Sequence, residues 1–141
     1  MITVLLSVYN GERWLVECIE SILEQTYGNF EFLIIDDGSE DKSLEIIKNY
    51  SNLDKRIKFI SQENIGLTKS LNKGIALAKG EWIARIDADD VALPKRLELQ
   101  INYANKNDLN LVGCQSNIID SKGNIKYKIK IPIDYKNLYI N

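Results

Sequence analysis

Three aspartates, Asp87, Asp89 and Asp90, stand within four residues of one another in the stretch ARIDADDVALPKRL, residues 84–97. The residues leading into them, Trp82, Ile83 and Ala84, read as a buried strand. Two carboxylates about 4 Å apart repel by roughly 4 kcal/mol at an effective dielectric near 20. Such crowding is tolerated where the groups are solvated or where a cation sits among them. Asp87 and Asp89 are two positions apart, so on a strand that continued through them both would face one side. That placement suits a shared divalent cation, or one carboxylate on a metal and the other on a hydroxyl. A second acidic pair, Asp36-Asp37, ends the apolar run FEFLII, and Ser7 and Tyr9 close an earlier run, TVLLSV.

The composition narrows the chemistry. There is no histidine, which removes zinc–histidine sites, Ser-His-Asp triads and histidine general bases together. Any metal site must be built from oxygen ligands, which leaves Mg²⁺, Mn²⁺ or Ca²⁺. The two cysteines, Cys18 and Cys114, lie in apolar periodic segments without a CxxC and read as reduced core thiols. A net charge of −2 argues against a nucleic-acid binder. No apolar run approaches the roughly 20 residues of a membrane span. The start, MITVLLSVYN, lacks a basic region and a cleavage site and reads as a strand rather than a signal peptide. The expectation is a cytoplasmic protein.

The elements that must position these residues alternate in type. Strands are expected at residues 3–8, 30–35, 57–60, 81–86 and 109–114, with a more exposed, antiparallel one at 125–131. Helices are expected over 11–25, from a cap at Ser39 with Glu40 and Asp41 in its first turn, over 67–79, and after Pro94 at the first helical position. The third helix should turn Leu71, Ile75 and Ala78 inward and stop at Gly80. At 141 residues the chain is expected to form one domain. Alternating strands and helices predict an α/β fold, a mostly parallel sheet with helices on both faces.

Ligands bind outside the carboxyl ends of strands in such sheets. Ser7 and Tyr9, Asp36-Asp37, and Asp87 with Asp89 all fall there, at the ends of three strands. Each alone has a bland explanation. DDGS is a turn with a helix cap, DADD a solvated loop, Tyr9 packing, and Asn64, Gly66, Asn72 and Gly74 turn and cap residues. Their joint placement favours a metal–diphosphate complex at one rim, with Tyr9 available to stack on a base.

The ordered series VYNGE, SILEQTYGNFEFLIIDDGSEDKS and ENIGLTKSLNKGIALAKGEWIARIDADDVALPKRL resembles the family 2 glycosyltransferases of the GT-A fold, from residue 3 to about residue 120. The resemblance implies sugar transfer from a nucleotide-diphosphate sugar, most often a UDP-sugar, to a glycan, lipid-linked or protein acceptor, with inversion. It implies a divalent cation, Mn²⁺ or Mg²⁺, and a role in polysaccharide biosynthesis, in the cytoplasm or peripherally at the inner face of the membrane. By matching position, Ser7, Tyr9 and Glu12 would line the base pocket. Asp37 would hydrogen-bond the base, with Asp36 supporting that loop. The stretch from Asn64 to Asn72 would pass near the base and diphosphate, with Lys69 a phosphate partner. Asp87 and Asp89 would form the DxD element, Asp89 on the metal and Asp87 on the ribose or the metal. Asp90 would support the loop, and Arg96 would pair with one of these carboxylates.

The family's catalytic base belongs to an acidic motif for which Asp108, Asp120 and Asp134 are no match. It is expected beyond Asn141, with the acceptor-binding half, so the chain reads as a donor-binding portion, residues 1–141, of a longer protein. A rival is a non-catalytic nucleotide-binding module derived from a transferase, which would bind without turnover. A phosphoacceptor receiver domain also binds Mg²⁺ with an acidic pair, but its pair follows the first strand rather than the second. A Rossmann dehydrogenase would need a GxGxxG after the first strand, and there is none.

Overall fold

The computed structural model describes residues 1–121 and 123–129. The end of the expected last strand, residues 130–131, and the tail beyond it lie outside the described residues. The chain divides into two compact units, Met1–Glu98 and a second beginning at Leu99.

The first unit is a parallel α/β sheet. Its elements run β1 (Ile2–Val8), α1 (Leu15–Leu23), β2 (Phe30–Asp36), α2 (Ser43–Leu53), β3 (Ile57–Ser61), α3 (Leu67–Leu77) and β4 (Trp82–Ile86). The strand order is β3-β2-β1-β4, all parallel. β1 is buried along its whole length and β2 nearly so, as the two central strands of a covered sheet must be. Right-handed crossovers put α1 and α2 on one face and send α3 back across the other, over β1 and β2. Leu5, Leu33 and Ile35 form the core under α3, with Ile60 and Leu71 packed against them.

Several boundaries differ from the sequence expectation. β4 is an edge strand among the described residues, and Ile83 is exposed rather than buried, because nothing described pairs beyond it. α1 starts at Leu15 rather than at Gly11, since the amides of Asn10, Gly11 and Glu12 are bonded across to the loop after β2. For the same reason Ser39 is no cap: its hydroxyl accepts from Asn10 N, and α2 begins at Ser43, with Glu45 in place of Glu40 and Asp41 as its first-turn acid. α3 turns Ser70 and Gly74 inward, and Ile75 is exposed. The helix lies so close to β1 that a Cβ on Gly74 would come within 2.3 Å of Leu5 Cδ1. Small residues make the closest approach, and Leu71, as expected, packs beside them against the core. α3 ends at Leu77, before Gly80, whose amide donates to Thr3 Oγ1 where the chain enters the sheet.

α4 (Arg96–Asn107) starts at the end of the first unit, two residues later than a Pro94 start would give. In the second unit, residues 109–114 are not a strand. Leu111 and Cys114 are exposed, so Cys114 is not a core thiol. An apolar run becomes a strand only where a ladder partner exists, and this run has none among the described residues. β5 (Ser116–Ile119) and β6 (Ile125–Ile129) instead pair antiparallel, with a bulge at Ile118/Ile119. Among the described residues no helix is long and apolar enough to cross a membrane.

Candidate functional site

The parallel registers bring three strand ends to one rim. Val8 of β1 lies opposite Asp36 of β2, and Leu6 of β1 opposite Ile86 of β4. Ser7, buried near the end of β1, therefore lies close to both acidic segments, and Tyr9 follows with half its surface exposed.

The loops after β1 and β2 are laced together reciprocally. Amides of the first loop donate to side chains of the second: Asn10 N to Ser39 Oγ (3.0 Å), Gly11 N to Ser43 Oγ (2.9 Å) and Glu12 N to Asp41 Oδ2 (2.9 Å). In return Glu40 N donates to Asn10 Oδ1 (2.8 Å) and Lys42 N to Glu12 Oε2 (2.9 Å). Asn10 takes a positive φ to make this crossing, a conformation asparagine tolerates better than most residues. The Glu12 carboxylate thus has a backbone partner in the second loop.

Asp36 and Asp37 are both buried, and they differ in how much of each carboxylate is used. Asp36 accepts from Ser39 N (3.2 Å) and Ser61 Oγ (2.8 Å). Asp37 accepts from Gln62 Nε2 (2.8 Å), Ile65 N (3.0 Å), Gly66 N (2.9 Å) and Ser70 Oγ (2.8 Å). A carboxylate offers about four lone-pair positions, so Asp37 is saturated and Asp36 is not. Burial alone would raise the Asp37 pKa, but these bonds outweigh it and hold the carboxyl below its ordinary value. Asp37 thereby ties the segment after β3 to the start of α3. Gly38 sits under that segment at φ 79°, where a Cβ would meet Asn64 N at 2.7 Å, so this turn requires glycine. Asn64 and Lys69 are exposed beside it.

The acidic loop after β4 is of another kind. The strand does not continue through it. Asp90 N donates to Asp87 O at 3.1 Å, so the segment is a turn, and the strand-alternation argument for Asp87 and Asp89 does not apply. Arg85 Nη2 pairs with Asp87 at 2.7 and 3.0 Å, an exposed ion pair. Such pairs are typically worth about 0–1 kcal/mol. Among the described residues no side chain pairs with the Asp89 carboxylate. Partial desolvation of the Asp90 carboxyl, then the charges of Asp87 and Asp89, push its pKa up, while the Arg96 charge acts against them. Arg96 also donates from Nη2 to Arg85 O at 2.7 Å. Beneath the loop, burial and the charges of Asp90, Asp89 and Asp87 push the Cys18 thiol up to about 12.

Two exposed carboxylates on a turn are not a closed cage. Among the described residues no group of three or more His, Cys, Asp or Glu is arranged to hold an ion. The donor set, hard oxygens only partly paired and with open positions, fits a Mg²⁺ or Mn²⁺ whose shell is completed by phosphate oxygens. Sequence reasoning missed Ser61, Gln62 and Ser70, which hold Asp36 and Asp37, and Arg85, which holds Asp87. A serine and a glycine four apart on α3 were the readable trace of its close packing; nothing local marked Ser61 or Gln62.

A parallel sheet with helices between its strands and an acidic turn at the carboxyl rim defines an α/β protein. The comparisons are more specific. The family model described as glycosyl transferase family 2 matches residues 3–140. The chain is 45% identical over 140 residues to an uncharacterised glycosyltransferase of Methanocaldococcus jannaschii, covering 96% of this chain and 48% of that protein. It is 38% identical over 133 residues to the O-antigen biosynthesis glycosyltransferase WbnJ of Escherichia coli, covering 94% and 52%. The chain therefore belongs to glycosyl transferase family 2, and it spans about half the length of these curated relatives.

Solved structures share the GT-A fold. Residues 1–349 of S. aureus TarS in complex with UDP-GlcNAc superpose with a TM-score of 0.71 at 23% identity, covering 85% of this chain and 38% of that one. The mannosyltransferase PcManGT of Pyrobaculum calidifontis, in complex with GDP-Man and Mn²⁺, gives 0.60 at 24% identity, covering 64% and 28%.

Proposed function

We propose that this chain binds the nucleotide-sugar donor of a glycosyltransferase, a UDP-sugar, with a Mn²⁺ or Mg²⁺ on the diphosphate held by Asp89 and Asp87. The observation that carries the reading is the turn at Asp87–Asp90 beside the ends of β1 and β2, where among the described residues no side chain pairs with Asp89 and Asp87 has only an exposed pair with Arg85. It is supported by the WbnJ relative and by neighbours solved with UDP-GlcNAc and with GDP-Man and Mn²⁺.

Tyr9 offers an exposed ring face to the base, with Ser7 and Glu12 beside it. For the hydrogen bond to the base, the reading assigns Asp36, which has acceptor capacity left. Asp37, whose acceptors are used, holds the 62–66 segment in place. This reverses the roles implied by resemblance. Asn64 and Lys69 flank the diphosphate. When bound, the cation would supply Lewis-acid stabilisation of the charge developing on the leaving diphosphate. Asp87 would exchange Arg85 for the cation or the ribose. The acceptor is a glycan, a lipid-linked glycan or a protein.

The test is calorimetric titration of UDP, GDP and dTDP into the chain with Mn²⁺ and then with chelator, repeated on Asp89→Ala. One nucleotide that binds with metal, and is lost in the variant, is the expected result and names the base. Binding of every nucleotide regardless of metal would overturn the role of the acidic turn.

A further inference from the structure

Buried polar side chains on α1 and just beyond its end bond to the acidic turn and to the segment that follows it. Cys18 and Ser21, three apart, share one face of α1, and Gln25 follows two residues after the helix ends. All three are buried, and the other inward residues of α1 are apolar.

Their partners follow in the same order along the segment from Asp87 to Leu97. Cys18 Sγ donates to Asp87 O at 3.4 Å. Ser21 Oγ accepts from Ala92 N at 3.0 Å and donates to Cys18 O at 2.7 Å. Gln25 spans Pro94. Its Nε2 donates to Leu93 O (2.8 Å) and to Ser21 O (3.0 Å), and its Oε1 accepts from Leu97 N (3.0 Å). Leu97 N belongs to the first turn of α4, where amides have no partner within the helix. Gln25 therefore caps α4 from just beyond the end of α1, and every hydrogen of its amide is used. Thr26 adds a backbone bond to Pro94 O at 2.8 Å.

We propose that Gln25, with Ser21, is a positioning residue for the cation site: it sets the height and orientation of the Asp87–Asp90 turn by fixing the segment that follows it. The proposal rests on the donor-site reading given above. The turn itself carries mutually repelling carboxylates and would open away from α1 without this anchorage. Removing the amide of Gln25 leaves Leu97 N without its partner and Leu93 O with only the bond from Arg96 N, so the segment loosens just beyond the carboxylates.

The test titrates UDP into the 141-residue chain with Mn²⁺ and with chelator, and records hydrogen exchange of amides 87–93. Gln25→Ala is compared with Ser21→Ala and with Ile47→Val, a buried change in α2 away from the turn. In Gln25→Ala, affinity in Mn²⁺ is expected to fall about tenfold, the scale of residues that orient metal ligands. Affinity in chelator should barely move, and exchange of the turn amides should accelerate. Ser21→Ala should show the same pattern more weakly, and carries the test if Gln25→Ala does not fold. Ile47→Val should lower thermal stability without changing the ratio of the two affinities.

Equal losses with and without metal, or faster exchange with unchanged metal-dependent affinity, would overturn the positioning role alone. Absence of metal-dependent binding in the unmodified chain would overturn the donor-site reading, and the positioning role with it.

Discussion

The carboxyl edge of the sheet holds two groups of aspartates that the protein treats in opposite ways. Asp36, Asp37 and Asp41 are surrounded by donors drawn from three loops. Hydrogen bonds overcome the effect of burial on Asp37 and Asp41 and keep both carboxyls below their ordinary pKa. Asp87, Asp89 and Asp90 have few partners and stand in a turn, and partial desolvation with the charges of Asp87 and Asp89 raises the proton affinity of Asp90. The same residue type is structural in the first group, because the fold supplies its donors. In the second the fold supplies few donors, which leaves acceptor positions open for the cation proposed above.

That contrast is open to direct attack. The largest effect is expected at Asp37. Asp37→Asn would set an amide donor against the donors now facing the carboxylate, and should cost about 3 kcal/mol of stability by urea unfolding at neutral pH. Since the folded pKa of Asp37 is depressed, its contribution is present above the unfolded carboxyl pKa and lost as pH falls toward the folded one. The gap between wild type and Asp37→Asn should therefore narrow toward about pH 3. A gap that stays constant with pH would mean that the charge of Asp37 is not what the loops require.

Next in size is Asp89→Ala. It should change stability by no more than about 0.5 kcal/mol, as surface substitutions do, while nucleotide binding loses its dependence on Mn²⁺. A large loss of stability would place Asp89 with the structural group and erase the distinction.

Asp90→Asn removes one of the crowded charges. Without cation it should raise stability by less than about 1 kcal/mol, and saturating Mn²⁺ with UDP should shrink that gain. Destabilisation in the absence of cation would show that the crowding is already relieved by the protein.

The smallest effect is chemical. Cys18, buried under the turn with its thiol pushed up to about 12, has almost no thiolate at neutral pH, whereas Cys114 is exposed. Alkylation of the native chain, followed by mass spectrometry, should label Cys114 alone. Labelling of Cys18 before unfolding would mean that the turn lifts away from α1 without cation.

Much of this was legible in the sequence. Apolar runs ending in Val8, Ile35 and Ile86, separated by helical spacing, specify a parallel α/β sheet. A parallel sheet necessarily brings their polar followers to one rim. The residue types at that rim, oxygen donors without histidine, would confine any bound metal to hard cations. Local pattern could not tell which aspartate has its acceptors filled, since the donors to Asp37 come from residues 62–70, brought back by β3 and α3. Nor could it tell that Ile75 faces out while Gly74 faces in, because the distance from α3 to β1 is a property of the packed sheet. Apolar residues at 109–114 met the strand pattern and still form none, because pairing needs a neighbour that the sequence does not name. Sequence by itself determined the four strands of a parallel sheet, the helices between them and the acidic character of the rim, because periodicity and residue chemistry are local. Tertiary structure alone decided which carboxylates are satisfied, since hydrogen-bond partners are assigned by proximity in space.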